Sequence, residues 1–231
     1  MAEIIEDRSL RNKISVFRDR SHAGELLSKW LEDYKGKDVY ILAIPAGGVP
    51  VGVEISKRLN LPLDPIVVRK IHIPWNREAG FGVMAWDGII SLNEDLVKHL
   101  ELSKKEIDDC ITEQREEIEE RMKLFGCGKF PEIGGKRVIL VDDWAGIRIY
   151  DLGGGLFSEE KVFSEEKESK RIGRRSSDSS LVAIERIENH VDKIICLNIR
   201  TGPIFAVADA YERWYDLEDE EVAEILRYAK R

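Results

Sequence analysis

Residues 38–70 read DVYILAIPAGGVPVGVEISKRLNLPLDPIVVRK, and the fold is decided there. Asp38 to Pro45 is short and almost wholly apolar, as suits a strand buried on both faces. Gly47 and Gly48 end it in a tight loop. Val51 to Leu59 then carries apolar residues at helical spacing, and Pro65 to Lys70 (PIVVRK) reads as a second buried strand. Strand, helix and strand in so short a span form a βαβ unit, whose right-handed crossover implies a parallel sheet. The expected fold class is therefore α/β, with a parallel central sheet flanked by helices.

The flanking sequence agrees. On the N-terminal side, Ser21 to Tyr34 places Ala23, Leu26, Leu27, Trp30, Leu31 and Tyr34 along one helical stripe. On the C-terminal side, Ser103 and Glu106 match a capping box, in which each side chain satisfies an orphan backbone donor. The helix it opens runs through Ile107, Ile111, Gln114, Ile118, Met122 and Phe125 and stops at Gly126 and Gly128. Arg137 to Val141 is a third buried strand, ending in Asp142-Asp143. Lys193 to Leu197 and Ile204 to Ala208 read as further strands. Leu217 to Arg231 closes the chain as a helix, acidic at its start and basic at its end.

One domain over residues 1–231 accounts for this order, apart from residues 144–180. That stretch has mixed charge, a Gly153-Gly154-Gly155 run, a serine-rich end and no sustained period of 2 or 3.6. A structureless loop of such length inside a compact domain is improbable on loop statistics.

Composition narrows the function classes. The chain has 231 residues, 43% hydrophobic and 35% charged, with a formal net charge of −8. That balance argues against a protein built to grip nucleic acid or an anionic membrane. No apolar run approaches the roughly 18 residues of a membrane helix. The opening MAEIIEDRSL has acidic residues where a signal peptide has basic ones. Cys110, Cys127 and Cys196 are scattered, without a Cys-x-x-Cys pair. Neither a disulfide framework nor a zinc site is expected, and a cytoplasmic location is.

Ligands of open α/β sheets bind beyond the carboxyl ends of the strands, and three loops compete for that place. In Ile44 to Gly52, paired glycines let backbone amides approach an anion ahead of a helix N-terminus, or they only make a tight turn. Arg69-Lys70, with Gly80-Phe81-Gly82 and Asn76, Arg77 and Glu78 nearby, could hold phosphates or simply solvate a loop. Asp142-Asp143 could accept from two sugar hydroxyls and position hydrated magnesium, or cap a helix.

In their order, "VYILAIPAGGVPVGVEISKRLNLPLDPIVVRKI", "GFGVMAWDG" and "KRVILVDD" resemble the type I phosphoribosyltransferases. The resemblance runs from Phe17-Arg18-Asp19-Arg20 to the C-terminal helix, omitting residues 144–180. It implies transfer of a 5-phosphoribosyl group from phosphoribosyl pyrophosphate to a nucleobase-like acceptor, with Mg²⁺. It puts Ala46, Gly47 and Gly48 on the pyrophosphate loop and Arg69 and Lys70 beside the pyrophosphate. His72 to Asp87 falls on a mobile loop that closes the site, and Asp142 and Asp143 fall on the acidic pair that holds the ribose hydroxyls and the metal's water shell. No residue is implied as a direct metal ligand or as a general base. A homodimer is one assembly that similar proteins adopt.

Two departures stand out. Similar members carry a basic residue where this chain has Ala46. A loop such as Gly-x-Ala-(Thr/Ser)-Gly-x-Thr, which binds the 5′-phosphate, should follow the acidic pair, yet Trp144-Ala145-Gly146-Ile147-Arg148-Ile149-Tyr150 stands there. These departures favour the alternative function on this fold, a non-catalytic binder or regulator of phosphoribosyl pyrophosphate or a nucleotide.

The genetic code offers another explanation. Trp is TGG and every Ala codon begins with G, so reading Trp144-Ala145 one base later forces a glycine. Allowed codons onward then give Gly-Leu-Ala-Ser-Gly-Tyr-Thr-Ile-Trp-Ala, the expected loop and the start of a helix. At the far end, Gly173 to Ser179 admits a shifted reading of Val and Ala residues ending in Ile-Pro, a buried strand, before Leu181-Val182-Ala183-Ile184 resumes in frame. The expectation is that about 144–179 is an out-of-frame translation of a loop, a helix and a strand, and that without them the neighbouring strands lose their pairing.

Single residues carry lesser expectations. His22, His72, His99 and His190 are scattered, with His72 read as a loop surface residue. Trp75, Trp86, Trp214 and Tyr215 could stack on or enclose a base, but local packing is the plainer role. Nothing beside Cys127 marks a reactive thiolate.

Overall fold

The structure, a computed structural model, describes residues 2–127, 133, 136–143, 184, 189, 191–201 and 206–229, and the backbone of 146–151. Among the described residues, six strands form the main sheet: β1 (Glu3–Ile5), β2 (Val39–Ala43), β3 (Leu63–Pro65), β7 (Arg137–Asp142), β8 (Gly146–Asp151) and β9 (Lys193–Ile195). Their order across it is β1-β9-β8-β7-β2-β3. A second sheet joins β4 (Val68–Ile73), β5 (Asn76–Ala85) and β6 (Ile90–Leu92) in that order. Among the described residues the helices are α1 (Arg20–Lys29), α2 (Gly48–Leu59), α3 (Glu94–His99), α4 (Lys104–Leu124) and α5 (Asp219–Ala229).

The βαβ unit is present. β2 pairs in parallel with β3 on one side and with β7 on the other. Ile41, Leu42 and Ala43 are wholly buried, as a two-faced central strand requires. On α2, Val49, Val51, Ile55 and Leu59 are also wholly buried, so the helix is covered on more than one side. A Cβ at Gly24 of α1 would lie 2.5 Å from the Val51 carbonyl oxygen. That glycine lets α1 lie directly on the α2 backbone.

Several expectations need correction. PIVVRK is not one strand. Pro65 ends β3 in the main sheet, Ile66 and Val67 are buried at the bend, and β4 starts the second sheet at Val68. Residues 72–87 are not an open loop but most of an antiparallel hairpin of β4 and β5, which places half-buried His72 on a strand. The glycines that suggest a loop are needed for packing: a Cβ at Gly80 would meet Lys70 Cγ at 2.3 Å, and one at Gly82 the Ser91 carbonyl at 2.7 Å. Ser21–Tyr34 divides into α1 and a short 3-10 turn at Glu32–Tyr34. Ala206 lies outside any strand and Val207–Ala210 is a 3-10 turn, so IFAVA is no strand over its described part.

The anomalous stretch is described only at 146–151. Trp144, Ala145 and residues 152–180, including the shifted Gly173–Ser179, lie outside the described residues, as does His190. β8 pairs antiparallel with β7 and with β9. The neighbouring strands are therefore paired rather than left open, because buried backbone groups take whatever strand is available. β1, β9, β7, β2 and β3 all run one way, and β8 alone opposes them.

Candidate functional site

Three parts of the chain converge at the carboxyl ends of β2 and β7. The first is the turn from β2 into α2. Ile44 N donates to the Val141 carbonyl at 2.9 Å and ties the turn to β7. Gly48 N donates to Ile44 O at 3.0 Å and Val49 N to Ala46 O at 3.2 Å, and the Pro45–Ala46 peptide is cis. Among the described residues, the amides of Ala46 and Gly47 donate to no backbone carbonyl. They precede the α2 N-terminus, where the helix dipole favours an anion.

The second part is the end of β7. A Cβ on Gly47 would lie 1.7 Å from Asp143 Oδ2, and one on Gly48 would lie 2.5 Å from Val141 O. Both glycines are required simply for α2 to start against β7. That is the tight-turn reading, and it leaves the anion-loop reading open; Ala46, Gly47, Gly48, Asp142 and Asp143 share one corner. Asp143 caps no described helix.

The third part is Arg20, which sequence reasoning missed. α1 buries Arg20, Ala23, Gly24, Leu27 and Ser28, a stripe spaced by three and four residues. The Gly24 contact sets that stripe on α2, and one turn earlier Arg20 reaches the corner. Its Nε donates to Asp143 Oδ2 at 2.8 Å and its Nη1 to the Tyr215 carbonyl at 2.9 Å. Its guanidinium carbon lies 3.9 Å from the centroid of the Trp214 ring. The two side chains of the ion pair are only 9% and 12% exposed. Breaking one partner of a pair this buried costs about 3–5 kcal/mol, because the other charge is left without compensation. The Tyr211 hydroxyl donates to the Asp143 carbonyl at 3.1 Å, and burial pushes that phenol well above its ordinary range.

A pocket of about 420 Å³ opens beside Arg20, lined by Asp19, Pro50, Arg213, Tyr215 and Leu217 among others. Asp19 caps α1, its Oδ1 accepting from His22 N at 2.9 Å, and pairs with Arg213. The His22 amide, with help from Arg213, holds the Asp19 carboxyl below its usual range despite an opposing effect of burial. A smaller cavity of about 30 Å³ touches Asp142, Asp143, Asn198 and Tyr211. Buried Asn198 donates to Lys13 O at 3.0 Å, while its Oδ1 has no partner among the described residues.

Arg69 and Lys70 make other contacts. Arg69 Nη2 pairs with Glu117 Oε2 of α4 at 2.5 Å, and Lys70 Nζ donates to the Glu78 carbonyl at 2.6 Å. Trp75 is 63% exposed at the hairpin turn, whereas Trp86 packs partly buried against the core. Trp214 packs on Arg20, and the exposed Tyr215 contributes its carbonyl and part of the pocket wall.

Among the described residues no group of three or more His, Cys, Asp or Glu side chains could hold a metal. Asp142 and Asp143 are the carboxylates at this corner that could hold a hydrated magnesium ion, which keeps its waters and needs only one or two carboxylates plus substrate phosphates; Asp143 Oδ2 is already bonded to Arg20. Among the described residues no helix is long and apolar enough to cross a membrane.

Comparison with known proteins fits this geometry. The phosphoribosyl transferase domain family matches residues 19–146. Two Mycobacterium tuberculosis proteins, from strains CDC 1551 and H37Rv, carry phosphoribosyl transferase as a provisional name; each is 30% identical over 220 residues, 94% of this chain. The chain spans about half (48%) of the length of these relatives. The crystal structure of TT1426 from Thermus thermophilus superposes with a TM-score of 0.61 at 23% identity, over 91% of this chain and 97% of that one, a likeness of fold.

Proposed function

The chain belongs to the phosphoribosyl transferase domain family, and from that premise we propose that it transfers a 5-phosphoribosyl group from phosphoribosyl pyrophosphate to a nucleobase-type acceptor. A bond forms from the acceptor to the anomeric carbon while the bond from that carbon to pyrophosphate breaks. The electron pair of the broken bond leaves with pyrophosphate. The closeness of Gly47 to the Asp143 carboxylate carries the reading, since it brings a turn ahead of a helix N-terminus, which would favour an anion, directly against that carboxylate.

In this reading the Ala46-Gly47-Gly48 turn receives the pyrophosphate, and Asp142 and Asp143 hold the ribose hydroxyls and, through water, magnesium. Magnesium, when bound, neutralises charge on the departing pyrophosphate. Arg69 and Lys70 would contact the pyrophosphate only by exchanging Glu117 and the Glu78 carbonyl for it. Holding the sugar and the acceptor together lowers the entropic part of the barrier.

The proposal includes the shifted frame over about 144–179. It is supported by the family match ending at residue 146, two residues past the first shifted position, and by β8 running against every other strand of its sheet. The test is pyrophosphate release from phosphoribosyl pyrophosphate over a panel of bases, for the chain as written and for the frame-restored chain. Acceptor-dependent release by the restored chain is the expected result. Binding of phosphoribosyl pyrophosphate without release by either chain would replace the enzyme by a binding protein, and no binding by either would overturn both readings.

A further inference from the structure

We infer that Arg20 is a positioning residue that sets which oxygen of Asp143 meets the ribose, an inference resting on the proposed role of Asp143. Oδ2 of that carboxylate accepts from Arg20 Nε and lies where a Cβ on Gly47 would be. Among the described residues no hydrogen bond reaches Oδ1. Among the described residues, the carboxylate is thus held through Oδ2, with Oδ1 open to a ligand hydroxyl. It cannot rotate without leaving the charge of Arg20, a residue only 8% exposed, without its counter-charge.

Arg20 is itself held on three sides, by Asp143, by the Tyr215 carbonyl and by the face of Trp214. Lysine would supply the charge but not the planar fork that bonds a carboxylate and a carbonyl at once while stacking on indole. Arg20 also lines the 420 Å³ pocket. Arg20 therefore joins that pocket to the acidic corner, and the segment Trp214–Tyr215 is part of what orients Asp143.

The experiment compares two probes on the full chain, as written and frame-restored: phosphoribosyl pyrophosphate with magnesium, and inorganic pyrophosphate with magnesium. Calorimetric titrations are made on wild type, Arg20→Gln, Arg20→Lys, Asp143→Asn and the Arg20→Gln/Asp143→Asn double variant, with circular dichroism to confirm folding. Arg20→Gln is expected to weaken phosphoribosyl pyrophosphate by about tenfold or more, the scale of one charge-assisted hydrogen bond, while pyrophosphate changes by less than about twofold. Arg20→Lys should fall between wild type and Arg20→Gln. The double variant should be no weaker than Asp143→Asn, as for two residues acting as one unit.

Equal loss of both probes in Arg20→Gln and Arg20→Lys would make the role merely structural and overturn the inference. So would unchanged affinity in Arg20→Gln. If neither wild-type chain binds phosphoribosyl pyrophosphate, the proposed function falls and takes this inference with it. Binding by wild type and Arg20→Gln alike removes the inference alone.

Discussion

At the residue scale, Gly47 is the most constrained position of the site. A methyl group there would lie 1.7 Å from Asp143 Oδ2, so Gly47→Ala must displace either the α2 N-terminus or the Asp143–Arg20 pair. The substitution is expected to lower stability by about 1–3 kcal/mol, the usual penalty of overpacking, and to remove most binding of phosphoribosyl pyrophosphate. Urea unfolding and titration measure the two effects. Gly36→Ala is the control: its φ of +66° costs about 1 kcal/mol in an L residue, but nothing lies within 4 Å and binding should survive. The glycines and the acidic pair were legible because each stands at or just past the carboxyl end of a strand, where α/β sheets bind ligands. Arg20 was not, since its partner lies 123 residues away and charge pairing at that range leaves no local pattern. Two signals were available: Arg20 ends the Phe17-Arg18-Asp19-Arg20 stretch where the resemblance starts, and it is an arginine on the buried stripe of α1, in phase with Ala23, Gly24 and Leu27.

Among elements, helices with a cap and a clear period were read closely, whereas strands were read only where they were buried on both faces. α4 shows the capping box in full, with Ser103 N donating to Glu106 Oε2 at 2.9 Å and Glu106 N to Ser103 Oγ at 3.3 Å. The β4–β5 hairpin escaped because Gly80 and Gly82 look like loop punctuation, and only the neighbouring strands reveal that side chains would collide there. The stripe of α4 also contains a misfit. Gln114, between Cys110 and Ile118, is 1% exposed, and neither atom of its carboxamide has a hydrogen-bond partner among the described residues. An unpaired buried amide costs about 1–3 kcal/mol, so an apolar side chain of similar length removes the penalty while keeping the volume. Gln114→Met is expected to raise the unfolding free energy by about 1 kcal/mol or more, read as a higher urea midpoint at unchanged slope. A lower midpoint would mean that the amide has a partner the apolar residue cannot replace.

For the whole molecule, strand direction carries the argument. β7 and β9 run the same way with one strand's width between them, the arrangement a right-handed crossover from β7 leaves for its next parallel strand. β8 enters that slot as a hairpin return from β7, pairing its backbone at the expense of direction. The shifted reading of Gly173–Ser179 supplies an apolar strand of the right kind, and the residues before it supply the connecting helix. A parallel strand reached through a helix would cover the sheet with a second amphipathic layer, which a hairpin return does not do. The restored chain should therefore melt more cooperatively and at higher temperature, by about 10 °C or more, since each kcal/mol gained moves the midpoint of a domain this size by about 2–4 °C. Calorimetry on the two chains, with limited proteolysis across residues 144–190, measures the difference. Equal midpoints and equal protection would show that the written stretch folds as well as the restored one and that β8 is native. A gene resequenced across the codons for 140–185 that keeps both shifts, in a protein that gains stability on restoration, would mean the lesion is real and that the written chain has lost a strand its sheet still has room for.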